Sequence, residues 1–280
     1  MEQIVLDGKK LSKEIEQDLI VRVEKLKEKG IVPVLATILV GDDKASETYV
    51  KMKGKACARV GIKSKKIALP KETTTEELLK VIEDLNNDES VYGILLQHPV
   101  PRTIDENKCF NAISIEKDVD GVNTASFGKF AMKEKAFISC TPYGVVRLLK
   151  HYNIELTGKN VCIVGRSAIL GKPLSMLLLN ENCTVTICHT KTKDLNKETK
   201  RADIVVGCAG SRNLITKVKK GAILVDCGYS ADNVGDIDKK CISRASAYTP
   251  IPGGVGPMTI AMLIEQTVVS AENGLLNINK

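Results

Sequence analysis

Short apolar runs of strand length, each followed by a loop and an amphipathic stretch, recur along the chain and restrict its fold more than any other feature. Pro33–Val40 is nearly continuous (Pro-Val-Leu-Ala-Thr-Ile-Leu-Val), and Val91–Gln97, Asn160–Gly165, Thr184–Cys188, Ala202–Gly210 and Gly221–Gly228 repeat the theme. A run as apolar as Pro33–Val40 lacks the in–out alternation of a half-solvated strand, so it belongs in a parallel sheet covered on both faces. Outside the apolar runs, Leu11, Ile15, Leu19, Val23 and Leu26 mark a helix ending near Gly30, and Thr74 with Glu77 forms a capping box for another. This alternation predicts an α/β fold whose ligands collect at the carboxyl ends of the strands. Gln97 and the loop after Val40 lie at such ends.

The segment Ser46–Gly61 reads as one helix, with Ser46 placed to cap its first amides and Gly61 to close it in a left-handed turn. At about 100° per residue, Tyr49, Lys53, Ala56, Cys57 and Val60 share a face, while Lys51, Lys55 and Arg59 point elsewhere. A lysine inside an apolar stripe loses hydration of its ammonium form, which lowers its pKa toward values useful for proton transfer. A lysine that snorkels from the edge of the stripe satisfies the same pattern. The segment Lys117-Asp-Val-Asp-Gly-Val-Asn123 has the composition of a turn. Cys140-Thr-Pro then opens a new helix with Thr141 as its cap, and the first crossing between domains is expected near Ser139.

Asn160–Gly165 runs straight into Arg166-Ser-Ala-Ile-Leu-Gly171-Lys-Pro and a helix. Strand, glycine loop and helix in this order let a pyrophosphate approach backbone amides, although the spacing is not G-x-G-x-x-G. After the next strand, Thr190, Lys191 and Thr192 stand where an NAD enzyme carries an acid for the ribose hydroxyls. With Arg166 in the loop itself, these cations and hydroxyls favour the extra phosphate of NADP; a solvated basic turn is the alternative. Thr249–Thr259 is too rich in Pro and Gly for a core element. Its amides suit an anion or a planar ring, and a plain linker has the same composition.

The 280 residues suffice for one large or two medium domains. Four Phe, six Tyr and no Trp argue against aromatic platforms for single-stranded nucleic acid, and a net charge of +7 spread along the chain suits small anions. Nine cysteines, an odd number without a C-x-x-C pair, lie mostly in apolar runs and indicate a reducing, cytoplasmic compartment and no structural metal. The N-terminus does not read as a signal peptide, and no window approaches the ~20 apolar residues of a membrane span.

Taken together, these stretches give a chain that resembles the bifunctional methylenetetrahydrofolate dehydrogenase/cyclohydrolase family over nearly its whole length. The resemblance rests on Val40-Gly-Asp-Asp-Lys-Ala-Ser46 with Tyr49-Val-Lys-Met-Lys53, Gly93–Gln97, Lys117–Gly121, Cys140-Thr-Pro, Val164-Gly-Arg-Ser167 and Pro252–Thr259. It implies NADP-dependent oxidation of 5,10-methylenetetrahydrofolate to 5,10-methenyltetrahydrofolate and hydrolysis to 10-formyltetrahydrofolate, which serves one-carbon metabolism and purine synthesis. The implied architecture is a three-layer α/β catalytic domain over residues 1–138, a Rossmann-type NADP domain with a parallel sheet over 139–258, and a C-terminal helix, 259–280, returning to the first. The substrate would lie in a cleft between them. By the same resemblance Lys53 is the general acid/base, Gln97 its hydrogen-bonding partner, Tyr49 a ring contact and Asp120 the partner of the pterin's amino-pyrimidine edge. Pro252, Gly253, Gly254, Gly256 and Thr259 would lie along the folate, and Gly165, Arg166, Ser167, Thr190 and Tyr229 would hold the cofactor. A cytoplasmic homodimer without nucleic-acid or membrane partners is implied as well.

Two positions depart from the family's pattern. Tyr229 stands where relatives often carry isoleucine, and His98 stands where many carry leucine and is expected to perturb the pH optimum of hydrolysis. Two rival readings are an NADP-dependent dehydrogenase of a shikimate-like substrate and a basic nucleotide- or nucleic-acid-binding protein.

Overall fold

The structure, a computed structural model, describes residues 3–228 and 232–278. Contacts between Cα atoms divide the chain into two compact units, Lys13–Ile138 with Ile260–Lys280 and Met1–Ser12 with Ser139–Thr259. The chain opens with β1 (Ile4–Val5) and α1 (Gly8–Glu28), and continues through β2 (Val34–Val40), α2 (Lys44–Val60), β3 (Lys63–Leu69), α3 (Thr75–Asn87) and β4 (Val91–Leu96). In the first unit β3, β2 and β4 form a parallel sheet in that order, and every residue of the central strand β2 is buried. The amphipathic α1 contributes Ile15, Leu19, Val23 and Leu26 to the core, as its apolar spacing predicts.

Helix α2 starts differently from the sequence reading. Asp43 is the cap: in extended backbone, its carboxylate accepts the Ser46 amide at 2.7 Å, and Ser46 is buried in the first turn. An anionic acceptor at this end also meets the positive pole of the helix, which a serine hydroxyl does not. At the other end Gly61, at φ 86°, closes the helix as expected. The Thr74–Glu77 capping box of α3 is complete.

Beyond β4 come α4 (Glu106–Ala112) and α5 (Thr124–Ala131), with the segment holding Asp118 and Asp120 between them. This segment is tied to β4 by the Ile94 amide, which donates to the Lys117 carbonyl at 2.8 Å. Its path explains the glycine within the strand: a β-carbon on Gly93 would come within 2.6 Å of the Val119 side chain. The Lys117 ammonium donates to the carbonyls of Leu85, Asn86 and Asp88 at 3.1, 2.7 and 2.8 Å; the first two are left open by the end of α3, and the third, just past it, is shared with the Val91 amide.

The second unit holds α6 (Cys140–His151), β5 (Asn160–Val164), α7 (Gly171–Asn180), β6 (Thr184–Cys188), α8 (Leu195–Arg201), β7 (Ile204–Gly207), β8 (Ile223–Asp226), α9 (Lys239–Ile242) and β9 (Ala247–Tyr248). Its six parallel strands run in the order β1-β9-β8-β7-β5-β6. The order reverses between β5 and β7, because β6 is laid on one side of β5 and the later strands on the other. A crevice opens at such a point beyond the strand ends. The N-terminal residues depart from the expected 1–138 grouping: Ile4 and Leu6 donate their amides to the Ser246 and Tyr248 carbonyls at 2.9 and 2.8 Å, so β1 completes the sheet beyond β9. Two residues of edge strand carry no signal of their partner in the local sequence.

Other boundaries shift as well. Ser139, not Thr141, occupies the cap position of α6, and Thr141 lies inside the helix with its hydroxyl 2.9 Å from that of Thr259. Helix α7 begins at Gly171 and follows the loop Arg166–Leu170, as the strand, glycine loop and helix order predicts. The last helix, α10 (Val255–Ile278), begins within the glycine-rich segment. Its Gln266 donates to the carbonyls of Val119 and Ile138 at 2.7 and 2.8 Å and accepts the Ile138 amide at 2.9 Å. Among the described residues no helix is long and apolar enough to cross a membrane, and no three His, Cys, Asp or Glu side chains gather as a metal site.

Substituting Lys117→Met retains the aliphatic stem but removes all three carbonyl contacts, and is expected to lower unfolding free energy by about 2 kcal/mol. Urea unfolding followed by circular dichroism measures it; an unchanged midpoint would show that water replaces the ammonium without loss.

Candidate active site

In the first unit the parallel register brings the ends of β2 and β4 together, and α2 follows β2 directly. Gln97 lies just past β4, where its amide donates to the Ile38 carbonyl at 2.9 Å and its side-chain nitrogen to the His98 carbonyl at 2.8 Å. Held at both points and 8% exposed, it presents its remaining oxygen to the Lys53 ammonium at 2.8 Å. Lys53 and Tyr49 are both half-buried, one helical turn apart on α2. The structure thus joins two predicted residues 44 positions apart in sequence.

Asp120 is half-buried, and its charge acts on His98. Its neighbour Asp118 has a different environment: wholly buried, it accepts the amides of Val122 and Asn123 at 3.0 Å each and so fixes the turn that carries Asp120. Burial pushes the Asp118 carboxyl up to about 7 against the pull of these amides. As a turn composition the two acids are alike, and the resemblance alone singled out Asp120; in the structure burial separates them.

His98 is gripped by Glu106, with Nδ1 2.7 Å from the carboxylate. That hydrogen bond raises the pKa of the imidazole above its ordinary value against the effect of burial, and the charges of Glu106 and Asp120 add to the rise. Burial pushes the Glu106 carboxyl up, but the His98 hydrogen bond and charge, helped by the Val100 amide, leave it below the ordinary value. The expected titratable ring beside Gln97 is therefore present, and its partner Glu106 was not legible in the sequence.

The other predicted residues belong to the second unit. Gly165 follows β5 at φ 139°, and a β-carbon there would collide with the Cys208 carbonyl of the loop after β7. Arg166 and Ser167 follow it, exposed, and the Ser167 carbonyl accepts the Lys172 amide at 3.1 Å. Thr190 is exposed in the turn after β6, a turn closed by the His189 amide donating to the Thr192 hydroxyl at 2.9 Å. Strands β5 and β6 are neighbours, so these residues share one end of the sheet. Tyr229 lies outside the described residues.

Gly253 has φ 110°, and its carbonyl accepts the Lys9 amide at 2.8 Å. Gly254 is buried, and a β-carbon on it would meet the Pro250 carbonyl at 2.6 Å, whereas Gly256 has open space around it. Pro252 is exposed, and Thr259 stands in the first turns of α10. Sequence reasoning missed the carboxylate of Asp236, which gathers backbone amides of the loop after β7.

Comparison with known proteins places the chain in a family. Residues 6–120 match the family described as "Tetrahydrofolate dehydrogenase/cyclohydrolase, catalytic domain", and residues 139–275 match its "NAD(P)-binding domain". The "Bifunctional protein FolD" of Acinetobacter baumannii is 58% identical over 279 residues, covering 97% of this chain and 99% of that protein. Among solved structures, the bifunctional FolD methylenetetrahydrofolate dehydrogenase/cyclohydrolase of Campylobacter jejuni superposes with a TM-score of 0.95 at 46% identity, over 98% of this chain and 100% of that one. The Trypanosoma brucei N5,N10-methylenetetrahydrofolate dehydrogenase-cyclohydrolase, solved with NADP and an inhibitor, gives 0.93 at 34% identity, over 98% and 99% of the two chains. With both parts matched in order and relatives similar along their whole length, the chain belongs to the tetrahydrofolate dehydrogenase/cyclohydrolase family.

Proposed function

We propose that this chain oxidises 5,10-methylenetetrahydrofolate to 5,10-methenyltetrahydrofolate with NADP and hydrolyses that product to 10-formyltetrahydrofolate. The observation that carries the reading is the 2.8 Å hydrogen bond between the Lys53 ammonium and Gln97 at the carboxyl end of the β3-β2-β4 sheet, in a chain of this family. The residues at the reversal between β5 and β7 suit a dinucleotide. Gly165 leaves no side chain between the two strand ends, and Arg166, Ser167 and Thr190 offer a cation and hydroxyls to phosphates. Tyr229 remains a proposed contact. NADP, when bound, accepts the hydride.

What this chain's residues do is position, pair and move protons. Asp120 pairs with the amino and N–H groups of the pterin, a charge-assisted contact, and Tyr49 lies against its ring. The segment Pro252, Gly253, Gly254, Gly256 and Thr259 follows the folate. Oxidation needs the reacting carbon held in line, so orientation supplies most of the acceleration. Hydrolysis needs more. Water adds to the methenyl carbon, the bond from that carbon to N5 breaks, and of the two protons of water one ends on N5 and one in solvent. Lys53 relays the proton, and the Gln97 oxygen, accepting its N–H, holds the amine in place through both protonation states. The reading includes the finer features implied by family resemblance: a cytoplasmic homodimer, small-molecule partners only, and a product consumed in formyl transfer, purine synthesis included.

Purified protein mixed with methylenetetrahydrofolate and NADP should form the methenyl compound, which then decays; a folded preparation that forms none overturns the reading. Lys53→Met is expected to slow hydrolysis by at least about 100-fold with NADP affinity nearly unchanged, measured by methenyl decay and by cofactor titration. Parallel loss of both would mean misfolding instead. His98→Leu is expected to narrow the pH–rate profile of hydrolysis on its alkaline side, since the raised His98 pKa keeps the ring charged above the ordinary value. The same substitution should cost under about 1 kcal/mol of stability, the exposed-pair range. That cost is full below the ordinary pKa of about 6.5 and fades as pH rises through the raised value. Denaturant midpoints at acid and alkaline pH measure it; a cost that grows with pH contradicts the pairing.

A further inference from the structure

At the β5/β7 reversal, one wall is Gly165–Ser167 and the other is the loop Cys208–Ser211 that follows β7. The second wall has no helix behind it to hold its amides. Instead, Asp236, 1% exposed, reaches it from a segment that follows β8. One carboxylate oxygen accepts the amides of Ala209 and Gly210, the latter at 3.1 Å, and the other accepts that of Ser211 at 2.7 Å. Three backbone donors converging on one anion form a rigid nest.

Asp236 is itself held. Asp226, the last residue of β8, accepts the amides of Gly228, Asp236 and Ile237 at 2.9, 3.0 and 2.8 Å. The end of β8 thus fixes the segment that carries Asp236, and Asp236 fixes the end of β7. Glycines make room for both acids: a β-carbon on Gly207 would lie 2.8 Å from that of Asp236, and one on Gly228 would lie 2.7 Å from the Asp236 amide. Burial, reinforced by the charges of Asp236 and Asp226, pushes the Cys208 thiol up to about 12. The sulfur beside Gly165 is therefore a neutral wall and not a nucleophile.

We infer that Asp236 is a positioning residue for the cofactor, fixing the loop after β7 as the wall of the crevice that faces Gly165. The inference rests on the proposed use of NADP at this sheet. An asparagine cannot replace the acid, since its NH2 group would point at one of the amides that now donate to oxygen.

Asp236→Asn is expected to raise KM for NADP by about tenfold while kcat for methenyltetrahydrofolate hydrolysis, which uses no cofactor, changes less than about twofold. A folded variant with unaltered KM overturns the inference. If the variant does not fold, the wild-type protein decides. Its Gly210 and Ser211 amides should exchange slowly with deuterium, and their NMR resonances should move when NADP is added. Rapid exchange, or NADP binding that leaves those resonances in place, overturns it equally. A wild-type protein that binds no NADP sinks the functional reading, and slow exchange then still reports the clamp.

Discussion

Parallel pairing forces every strand of a sheet to end on the same edge, so the loops that follow those strands are collected whether or not they are close in sequence. Both units obey this constraint. In the β3-β2-β4 sheet it sets Gln97, at the end of β4, beside Lys53 on the helix that follows β2. In the six-stranded sheet it sets the loops after β5, β6 and β7 along one edge, with the strand order reversing between β5 and β7. Without the ladder, neither constellation would exist.

What the ladder collects, carboxylates hold. Asp43 caps α2, Asp118 takes two amides of the turn bearing Asp120, and Asp226 and Asp236 take three amides each at the ends of β8 and β7. Each replaces water at backbone donors that strand and helix geometry leaves open. Buried anions are costly unless the donors around them are fixed, and here the donors are main-chain amides that cannot rotate away. Apart from the first turn of α2, the amides held in this way belong to no regular element.

The same division separates the acids by task. Asp120, half-buried with its charge felt by His98, is the acid proposed to pair with the substrate; Asp118, wholly buried, holds the turn that carries it. Lys53 and Lys117 divide likewise. One meets a side-chain oxygen at the strand ends, and the other spends its donors on three carbonyls at and just past the end of α3.

Local signals determined much of this protein. Apolar runs located the strands, the Thr74–Glu77 box and Gly61 marked helix ends, and the glycine of Gly165 marked a close approach, because each reports an energy settled within a few residues. The family itself was legible in its motifs. Tertiary structure alone decided that Asp43 and not Ser46 caps α2, that β1 joins the sheet of the later residues, that Glu106 grips His98, and that Asp236 holds the loop after β7. These are hydrogen bonds chosen among competing donors and acceptors, several of them between distant residues. Which competitor wins depends on where the backbone has already been placed, and no window of sequence contains that information.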